Sequence, residues 1–412
     1  MSLINLPQLS WYGTKELKLS LPDRWEVEIG NIAGYNRKKM KANEIRAALD
    51  NPIGTKALSE LARGKKEVVI LFDDTSRVTR AAEIVPHILA ALASAGIRDK
   101  NIRFVCALGT HGALNRIDFV KKLGDAVLER FPVYNHNPFG NCVSAGKTKT
   151  WGTEVEINSE VMKCDLKIAI GMVVPHPTSG FGGGGKIILP GVSSFAAIRH
   201  NHHCFYQNYR QMRDRMGAGL FDDNPMRLDI EEAAELAGLD FIINCVVNEW
   251  GETVKIFAGA LKPAYAQAIA EAKTHYLTPA LKDKDIAICN VFIKANESYM
   301  GSAIAYPVLS QEGGDIVVLA NAPEGTVVHY LLGPWGKDCL GPEGQQFHLP
   351  KKVKRIIIYS EYPDLAGRGW LPDSERVLYF KEWREVLKSL ESDYPSSARV
   401  AVFPNAEIQY AK

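Results

Sequence analysis

The stretch that decides the fold is residues 167–203, KIAIGMVVPHPTSGFGGGGKIILPGVSSFAAIRHNHH. It opens with an apolar run at 168–174, whose length is typical of a buried β-strand. His176 follows, then a glycine-rich loop at 180–185, and Lys186 comes directly after that loop. Glycine lets the backbone approach a ligand closely and exposes N–H groups to an anion. The pattern therefore predicts a phosphate-holding loop beside reactive side chains.

Two known nucleotide-binding patterns fit this loop only in part. Gly180-x-x-x-x-Gly185-Lys186 matches a nucleotide-triphosphate loop, but Ile187 stands where Ser or Thr would hold magnesium. Pro190 follows soon after and opposes the helix that such a loop should open. The dinucleotide fingerprint also fits, yet no acidic residue ends a second strand about 20 residues further on. A kinase or ATPase that uses this loop, and a glycine hinge without a ligand, are the alternative interpretations.

Length and composition exclude several classes of protein. A chain of 412 residues is long enough for two domains and a sizeable core. The formal net charge of +2 indicates neither a nucleic-acid partner nor a polybasic membrane surface. The seven cysteines are scattered without a C-x-x-C pair, as expected in a reduced compartment. We recognise no signal peptide and no membrane-spanning segment, and we therefore expect a soluble cytoplasmic protein.

Three predicted strands each end in a polar loop. Residues 66–72 lead into Asp74 and Arg77, residues 102–108 lead into His111, and the strand of the opening stretch leads into its own histidine. Because ligands bind at the carboxyl ends of strands in open parallel α/β sheets, we expect these side chains to converge on one site. The alternatives are a helix N-cap for the aspartate, a solvated arginine and a satisfied loop histidine.

The remaining elements predict two α/β domains with mainly parallel sheets and the active site in the cleft between them. Residues 1–278 form a cofactor-binding and catalytic domain in this interpretation. Residues 279–412 form a C-terminal α/β domain whose last residues pack back on the first. In the second domain, predicted strands at 285–291, 315–319, 353–359 and 399–403 alternate with predicted helices at about 302–311, 325–332 and 381–392. The segment 293–299 follows the first of these strands and is placed to reach the cleft.

A predicted helix at 194–212 carries three histidines, His200, His202 and His203. Neighbouring residues on a helix point in different directions, so the three side chains cannot all face one site. His200 and His203 share a face, whereas His202 faces elsewhere. A neutral imidazole can bind a metal, but spacing does not select one of the three, and surface or capping histidines are the alternative.

The candidate residues suit proton transfer at a stereocentre. His111 and His176 can each accept or donate a proton near neutral pH, which favours racemisation or epimerisation. Arg77 offers a bidentate fork for a substrate carboxylate, and Lys186 offers a point charge or a covalent bond through its amine. No side-chain cluster has ordinary zinc spacing, so most ligands of any bound metal would not be local side chains.

The order of these motifs resembles the lactate racemase family, whose enzymes use a nickel-pincer nucleotide. The resemblance covers most of the chain and is carried in order by Trp11-Tyr12-Gly13, Leu21-Pro22-Asp23, Asp74-x-x-Arg77, Gly109-Thr110-His111, Pro175-His176, Gly183-Gly184-x-Lys186, Leu189-Pro190-Gly191 and Asn201-His202. It implies an isomerase that racemises or epimerises a small 2-hydroxy acid by proton-coupled hydride transfer.

The resemblance also implies roles for single residues. His111 and His176 would be the acid and the base. Lys186 would carry the cofactor, a pyridinium mononucleotide with nickel, through a thioamide, and His202 would bind the nickel. The remaining cofactor contacts are expected from Asp74, Ser76, Gly183 and Gly184, and the substrate contacts from Arg77, Lys294, Tyr299 and Met300. The enzymes of cofactor biosynthesis would be necessary partners.

The chain also departs from the family pattern. Gly112 follows the Gly-Thr-His motif where arginine is usual, and Gly182 replaces a common serine. After Tyr299, residues 300–303 lack the glutamine and lysine of the lactate enzyme, and Lys294 is the cation that remains. The sequence therefore predicts a roomier or more apolar pocket and a 2-hydroxy acid other than lactate. A non-catalytic protein that binds a small carboxylate is the alternative, which the retained histidine pair disfavours.

Overall fold

The computed structural model describes residues 2–337, 339–340, 349–371 and 375–411. In chain order its strands are β1 (Ser2–Gln8), β2 (Lys15–Leu21), β3 (Glu26–Ile29), β4 (Val68–Phe72), β5 (Ile102–Cys106), β6 (Val133–Asn135), β7 (Cys142–Lys147), β8 (Glu154–Asn158), β9 (Leu166–Met172), β10 (Pro175–His176), β11 (Gly180–Phe181), β12 (Phe241–Val247), β13 (Thr253–Gly259), β14 (Ile286–Asn290), β15 (Gly314–Leu319), β16 (Val353–Tyr359), β17 (Val377–Phe380) and β18 (Arg399–Phe403).

The helices are α1 (Ala42–Asp50), α2 (Leu58–Leu61), α3 (Ala81–Ser94), α4 (Arg116–Leu123), α5 (Asp125–Arg130), α6 (Ser159–Met162), α7 (Phe195–Met212), α8 (Pro225–Leu236), α9 (Leu261–His275), α10 (Gly333–Gly336) and α11 (Trp383–Asp393). Short 3-10 helices lie at Asp99–Asn101, Gly184–Ile187, Ala295–Ser302, Ala366–Trp370 and Ala406–Ile408. Within the described residues, no helix is both long and apolar enough to cross a membrane.

The first six-stranded sheet has the order β13-β12-β9-β4-β5-β6, and its strands are parallel except for the β12–β13 pair. β4 is apolar at every position because both of its faces are covered, as is usual in parallel sheets. Val69 and Leu71 enter one core, whereas Val68, Ile70 and Phe72 enter another. The predicted mixed α/β fold with largely parallel sheets is confirmed.

The second six-stranded sheet has the order β17-β16-β15-β14-β18-β3, and all of its pairs are parallel. Its edge strand β3 comes from the amino-terminal end of the chain, and the β1–β2 hairpin packs its buried residues beside Ile286 and Ile288. Tyr410, near the other end, bridges to Leu277 and joins the core of the first sheet. The predicted domain division at residue 278 stays a prediction. Strand β3 belongs to the second sheet, and the β1–β2 hairpin packs against that sheet.

Two helices predicted in the second half are absent from the described residues. Residues 325–332 are irregular instead, with one bridge at His329, and the N–H groups of Val327 and Tyr330 donate to carbonyls of Asn296 and Thr110 at 2.9 and 2.8 Å. Those bonds replace the i to i−4 bonds of a helix. Residues 302–311 are largely turns after the 3-10 helix, and Pro307 inside this segment has no N–H to donate.

Each six-stranded sheet has one point where its strand order reverses. In the first sheet the chain passes from β4 through β5 to β6 on one side, and through β9 to β12 on the other. In the second sheet, β15 to β17 lie on one side of β14 and β18 lies on the other. Such switch points leave a crevice at the carboxyl ends of the strands, where ligands bind. The candidate site lies where loops from both crevices meet.

Candidate active site

A cavity of about 410 Å3 is lined by loops that follow strands of both sheets. The structure brings together at this cavity every site residue predicted from the sequence: Asp74, Ser76, Arg77, His111, His176, Gly183, Gly184, Lys186, His202, Lys294, Tyr299 and Met300. The convergence expected from strand topology is therefore present. The chemical role of each residue stays a prediction.

His111 follows β5 and is held by a buried carboxylate from the loop after β4. Its Nδ1 lies 2.6 Å from Oδ2 of Asp74, and Oδ1 of Asp74 accepts from the N–H and hydroxyl of Ser76 at 2.9 and 2.5 Å. Burial opposes the charged imidazole, but Asp74 and then Glu297 outweigh it and raise the pKa of His111. The carboxylate fixes a hydrogen on Nδ1, so Nε2 is the nitrogen available for proton transfer.

His176 follows β9 and has quite different neighbours. Its Nδ1 contacts the hydroxyls of Thr178 and Ser179 at 3.1 and 3.2 Å, and their backbone N–H groups at 3.3 and 3.4 Å. Burial, and then the positive charges of Lys186 and Lys294, lower the pKa of His176 well below its ordinary value. The two backbone N–H groups donate to Nδ1 and so favour the neutral tautomer with its hydrogen on Nε2, whereas a hydroxyl can also accept from a protonated Nδ1.

Lys186 lies beside the second histidine, on the 3-10 helix Gly184–Ile187. Its Nζ is 3.4 Å from Nε2 of His176. Burial, and then the guanidinium groups of Arg227 and Arg77, lower the pKa of Lys186 well below its ordinary value. A lowered pKa favours the unprotonated, nucleophilic amine, which is the form needed for a covalent bond.

Of the three histidines on α7, His202 is the one that lines the cavity among the described residues. Its Nδ1 donates to the carbonyl of Ile198 at 2.9 Å, which leaves a lone pair on Nε2. Burial and then Lys186 lower the pKa of His202 to about 4, so the ring is neutral near pH 7. An imidazole whose other N–H is fixed by a carbonyl is typical of metal ligands. His200 instead contacts the hydroxyl of Thr153 at 3.0 Å.

The described chain contains no group of three or more His, Cys, Asp or Glu side chains that could hold a metal ion. If His202 binds a metal, the described side chains do not form a complete cluster of ligands around it, and a cofactor or solvent would contribute the others.

The glycine loop does not have the phosphate-binding geometry predicted from its sequence. The N–H groups of Gly182, Gly184 and Gly185 donate to Val174 O, Asn244 Oδ1 and Glu231 Oε1 at 2.7, 3.0 and 3.2 Å. These protein partners use the donors that a phosphate would need. The segment then continues as a 3-10 helix rather than as the α-helix of a nucleotide-triphosphate loop.

Close packing is the physical reason for glycine at these positions. Gly183 and Gly184 both have positive φ, at 75° and 54°. A Cβ on Gly184 would lie 2.6 Å from Nη2 of Arg227, and one on Gly183 would lie 2.7 Å from Val173. Arg227 donates to the carbonyl of Gly183 at 2.8 Å and so anchors the loop. Contact of these two glycines with a cofactor stays a prediction.

Sequence reasoning did not single out Glu297, although it lies in the segment expected to reach the cleft. Its Oε1 accepts from Nη1 of Arg77 at 3.1 Å and lies 3.6 Å from Nε2 of His111. Burial favours the neutral acid, but Arg77 and then Lys294 outweigh it and lower the pKa of Glu297. The ion pair between Arg77 and Glu297 joins residues that are 220 positions apart. No local sequence pattern predicts that contact.

His329 was also missed, because its segment was predicted to be a helix. It forms a β-bridge with His111, and the two ring centroids are 5.2 Å apart. Its Nδ1 accepts from the N–H groups of Leu331 and Leu332 at 3.2 and 3.1 Å. Burial, and then His111, lower the pKa of His329 well below its ordinary value. The lowered pKa favours the neutral ring of His329, which lines the cavity beside His111.

Lys294 follows β14 and is a buried cation, 1% exposed. In the part of the chain that the structure describes, its Nζ has no hydrogen-bond partner. Burial and then the charge of Arg77 lower its pKa to about 8. A buried ammonium group without a hydrogen bond is costly, so this one points to an anionic ligand in the cavity.

Comparison with known proteins gives matches over most of the chain. A family profile described as the lactate racemase N-terminal domain matches residues 12–213. The lactate racemase of Thermoanaerobacterium thermosaccharolyticum is 30% identical over 338 residues, which are 79% of this chain and 76% of the relative. The lactate racemase of Lactiplantibacillus plantarum is 30% identical over 308 residues, 72% of this chain and 70% of that one.

Solved structures agree on the fold. The lactate racemase apoprotein from Thermoanaerobacterium thermosaccharolyticum superposes with a TM-score of 0.74 over 100% of both chains, at 24% sequence identity. A protein from Thermotoga maritima superposes with a TM-score of 0.67, covering 92% of this chain and 100% of its own, at 19% identity.

Proposed function

Since this chain belongs to the lactate racemase family, we propose that it racemises or epimerises a 2-hydroxy acid with a nickel-pincer nucleotide bound to Lys186. The observation that carries the proposal is the pair of histidines at one cavity. His111 is paired with Asp74, whereas His176 is buried beside Lys186. The surroundings of His111 favour donation of a proton, and those of His176 favour acceptance of one. Racemisation or epimerisation requires an acid and a base at the stereocentre.

The residues of the cavity fit the proposed cofactor. The lowered pKa of Lys186 favours the unprotonated amine that the covalent link needs, and His202 keeps a lone pair on Nε2 for nickel. Asn244 lines the same cavity. Among the described residues its buried Nδ2 has no hydrogen-bond partner, so it could donate a hydrogen bond to a bound group. When bound, the cofactor supplies a metal-activated pyridinium ring that accepts and returns hydride at C2 of the substrate.

The protein handles the proton of the substrate hydroxyl. To accept that proton at Nε2 as a 2-keto acid forms, neutral His176 would use the tautomer with its hydrogen on Nδ1, which a hydroxyl of Thr178 or Ser179 can accept. His111, whose pKa is raised, then donates from Nε2 to the keto oxygen when the other enantiomer is made, and Asp74 holds the ring throughout. The reverse reaction exchanges the two roles, so a single pair serves both enantiomers.

Two cations are available for the substrate carboxylate. Lys294 has no other hydrogen-bond partner in the described chain. Among the described residues, Arg77 donates hydrogen bonds through Nη1, which leaves Nε and Nη2 to donate to a carboxylate. Tyr299 and Met300 line the same cavity, where the lactate enzyme's glutamine and lysine are missing, and this supports a substrate other than lactate.

The test is racemisation of single enantiomers by protein made together with the enzymes of cofactor biosynthesis. Chiral chromatography should show the opposite enantiomer of at least one 2-hydroxy acid. Intact mass should show a covalent addition at Lys186, with about one nickel per chain by the proposed stoichiometry. A Lys186→Ala variant, produced identically, should show neither the addition nor turnover. Turnover by that variant at the wild-type rate would contradict the cofactor assignment.

A further inference from the structure

A second carboxylate is built into the candidate site besides the one that holds His111. Glu297 is 5% exposed, and its recorded contacts, with Arg77 at 3.1 Å and with His111 at 3.6 Å, both use Oε1. Its backbone departs from helical geometry inside the 3-10 helix Ala295–Ser302, with φ −110° and ψ 42°. In the described chain, Oε2 therefore remains able to accept a hydrogen bond from a ligand.

The fixed charges around the cavity are almost balanced. Asp74 faces His111, and Glu297 faces Arg77. A third carboxylate, Asp73, is paired with Lys122 at 2.6 Å. Lys294 is the buried cation without a hydrogen-bond partner among the described residues. One substrate carboxylate would therefore balance Lys294, and a second would have to share Arg77 with Glu297.

Geometry places Glu297 next to the reacting carbon. Nε2 of His111 must reach the oxygen on C2, and Oε1 of Glu297 is 3.6 Å from that nitrogen. A group so close to the C2 oxygen faces the neighbours of C2, which are the C1 carboxylate and C3. Glu297 repels the C1 carboxylate, which Lys294 attracts, so the C3 substituent is the part that turns toward Glu297.

We propose that Glu297 is a specificity-determining residue that selects 2-hydroxy acids with one carboxylate and a hydroxyl on C3. A C3 hydroxyl donates to the carboxylate oxygen and adds no charge. An ammonium at the same place would lie beside the guanidinium of Arg77. A carboxylate borne on C3, as in a dicarboxylic 2-hydroxy acid, meets a negative charge that is fixed in place. The inference rests on the proposed racemase activity and deepens it.

The experiment compares kcat/KM for glycerate, lactate and malate in cofactor-loaded wild type, Glu297→Gln and Glu297→Ala. Wild type should prefer glycerate over lactate by roughly tenfold and over malate by about 100-fold or more. Glu297→Gln removes the charge and keeps the shape, so the malate-to-glycerate ratio should rise by roughly tenfold or more. Glu391→Gln, which removes an exposed carboxylate paired with Arg24, is the matched control and should leave all ratios unchanged.

The ratios separate specificity from a merely structural role. If Glu297 only supported its loop, the variants would lose activity on all three acids by one factor, and the inference would be overturned. Wild type that uses malate as well as glycerate would overturn it too, while leaving the racemase proposal intact. Loaded wild type that racemises no 2-hydroxy acid would instead contradict the proposed function itself.

Discussion

His111 and His176 both line the cavity, but their surroundings shift the pKa of the imidazole in opposite directions. His111 faces a carboxylate, and Asp74 outweighs burial to raise its pKa. His176 faces hydroxyls and lies near Lys294, and burial is the main cause that lowers its pKa. The difference teaches that the direction of proton transfer is set by the neighbours of each ring. Neither the Gly-Thr-His nor the Pro-His motif contains those neighbours.

The largest effect should come from removing either ring. His111→Asn and His176→Asn should each lower kcat by about 10²- to 10⁴-fold, because each loses its general acid–base group. Intact mass should still show the cofactor in His111→Asn, since that ring has no recorded contact with Lys186 or His202. If a variant retained more than about a tenth of wild-type turnover, the histidine that it lacks would not be the general acid or base.

Asp74→Asn tests what makes the two rings different. Loss of the carboxylate charge should lower the pKa of His111 and reduce kcat by roughly 10²-fold. In wild type, activity falls at low pH when His176 gains a proton and at high pH when His111 loses one. Because the variant lowers the pKa of His111, the alkaline limb should move to lower pH and the acidic limb should stay in place. An unchanged pH profile would show that Asp74 does not control this ring.

Lys294→Met should affect binding more than chemistry. KM for the substrate should rise by roughly 10- to 100-fold, because a charge-assisted hydrogen bond to the carboxylate is lost. In wild type, kcat/KM should fall as pH rises through about 8, since the ammonium of Lys294 is charged below its pKa and neutral above it. Lys294→Arg should keep part of the affinity and move the decline to higher pH. An unchanged KM in Lys294→Met would leave Arg77 as the carboxylate partner.

The smallest effect should come from the hydroxyls beside His176. Thr178→Val or Ser179→Ala removes one neutral hydrogen bond to Nδ1 and leaves the other, so kcat should fall by roughly two- to tenfold. The comparison with Asp74→Asn is direct, because a lost carboxylate should cost much more than a lost hydroxyl. Equal losses in the two experiments would mean that charge is not what distinguishes the two histidines.

The sequence predicted the parts of the site that follow from strand topology. His111 and His176 each come directly after a strand of one parallel sheet, and the carboxyl ends of such strands lie at one edge. Helical spacing could not choose among the histidines of α7, because the choice depends on which side of the helix packs toward the cavity. The family resemblance selected His202, and among the described residues His202 is the one of the three that lines the cavity.

The parts that were missed depend on contacts between distant segments. Glu297 meets Arg77 across 220 positions, and the wall formed by His329 depends on a bridge between two loops. The glycine loop was misjudged for a related reason. The N–H groups of Gly184 and Gly185 donate to Asn244 and Glu231, which lie 60 and 46 positions away, respectively. A count of glycines indicates close approach, but it does not say whether a ligand or the protein itself comes close.

The measurement that tests the central claim most directly is the fate of the C2 hydrogen. A 2-hydroxy acid carrying deuterium at C2 is incubated with the loaded enzyme in ordinary water, and both enantiomers are analysed by mass spectrometry. The account has His111 and His176 act on the hydroxyl proton only, so the product enantiomer should keep its deuterium. Loss of deuterium to water during racemisation would mean that the histidines remove the C2 proton itself, and the account would be wrong.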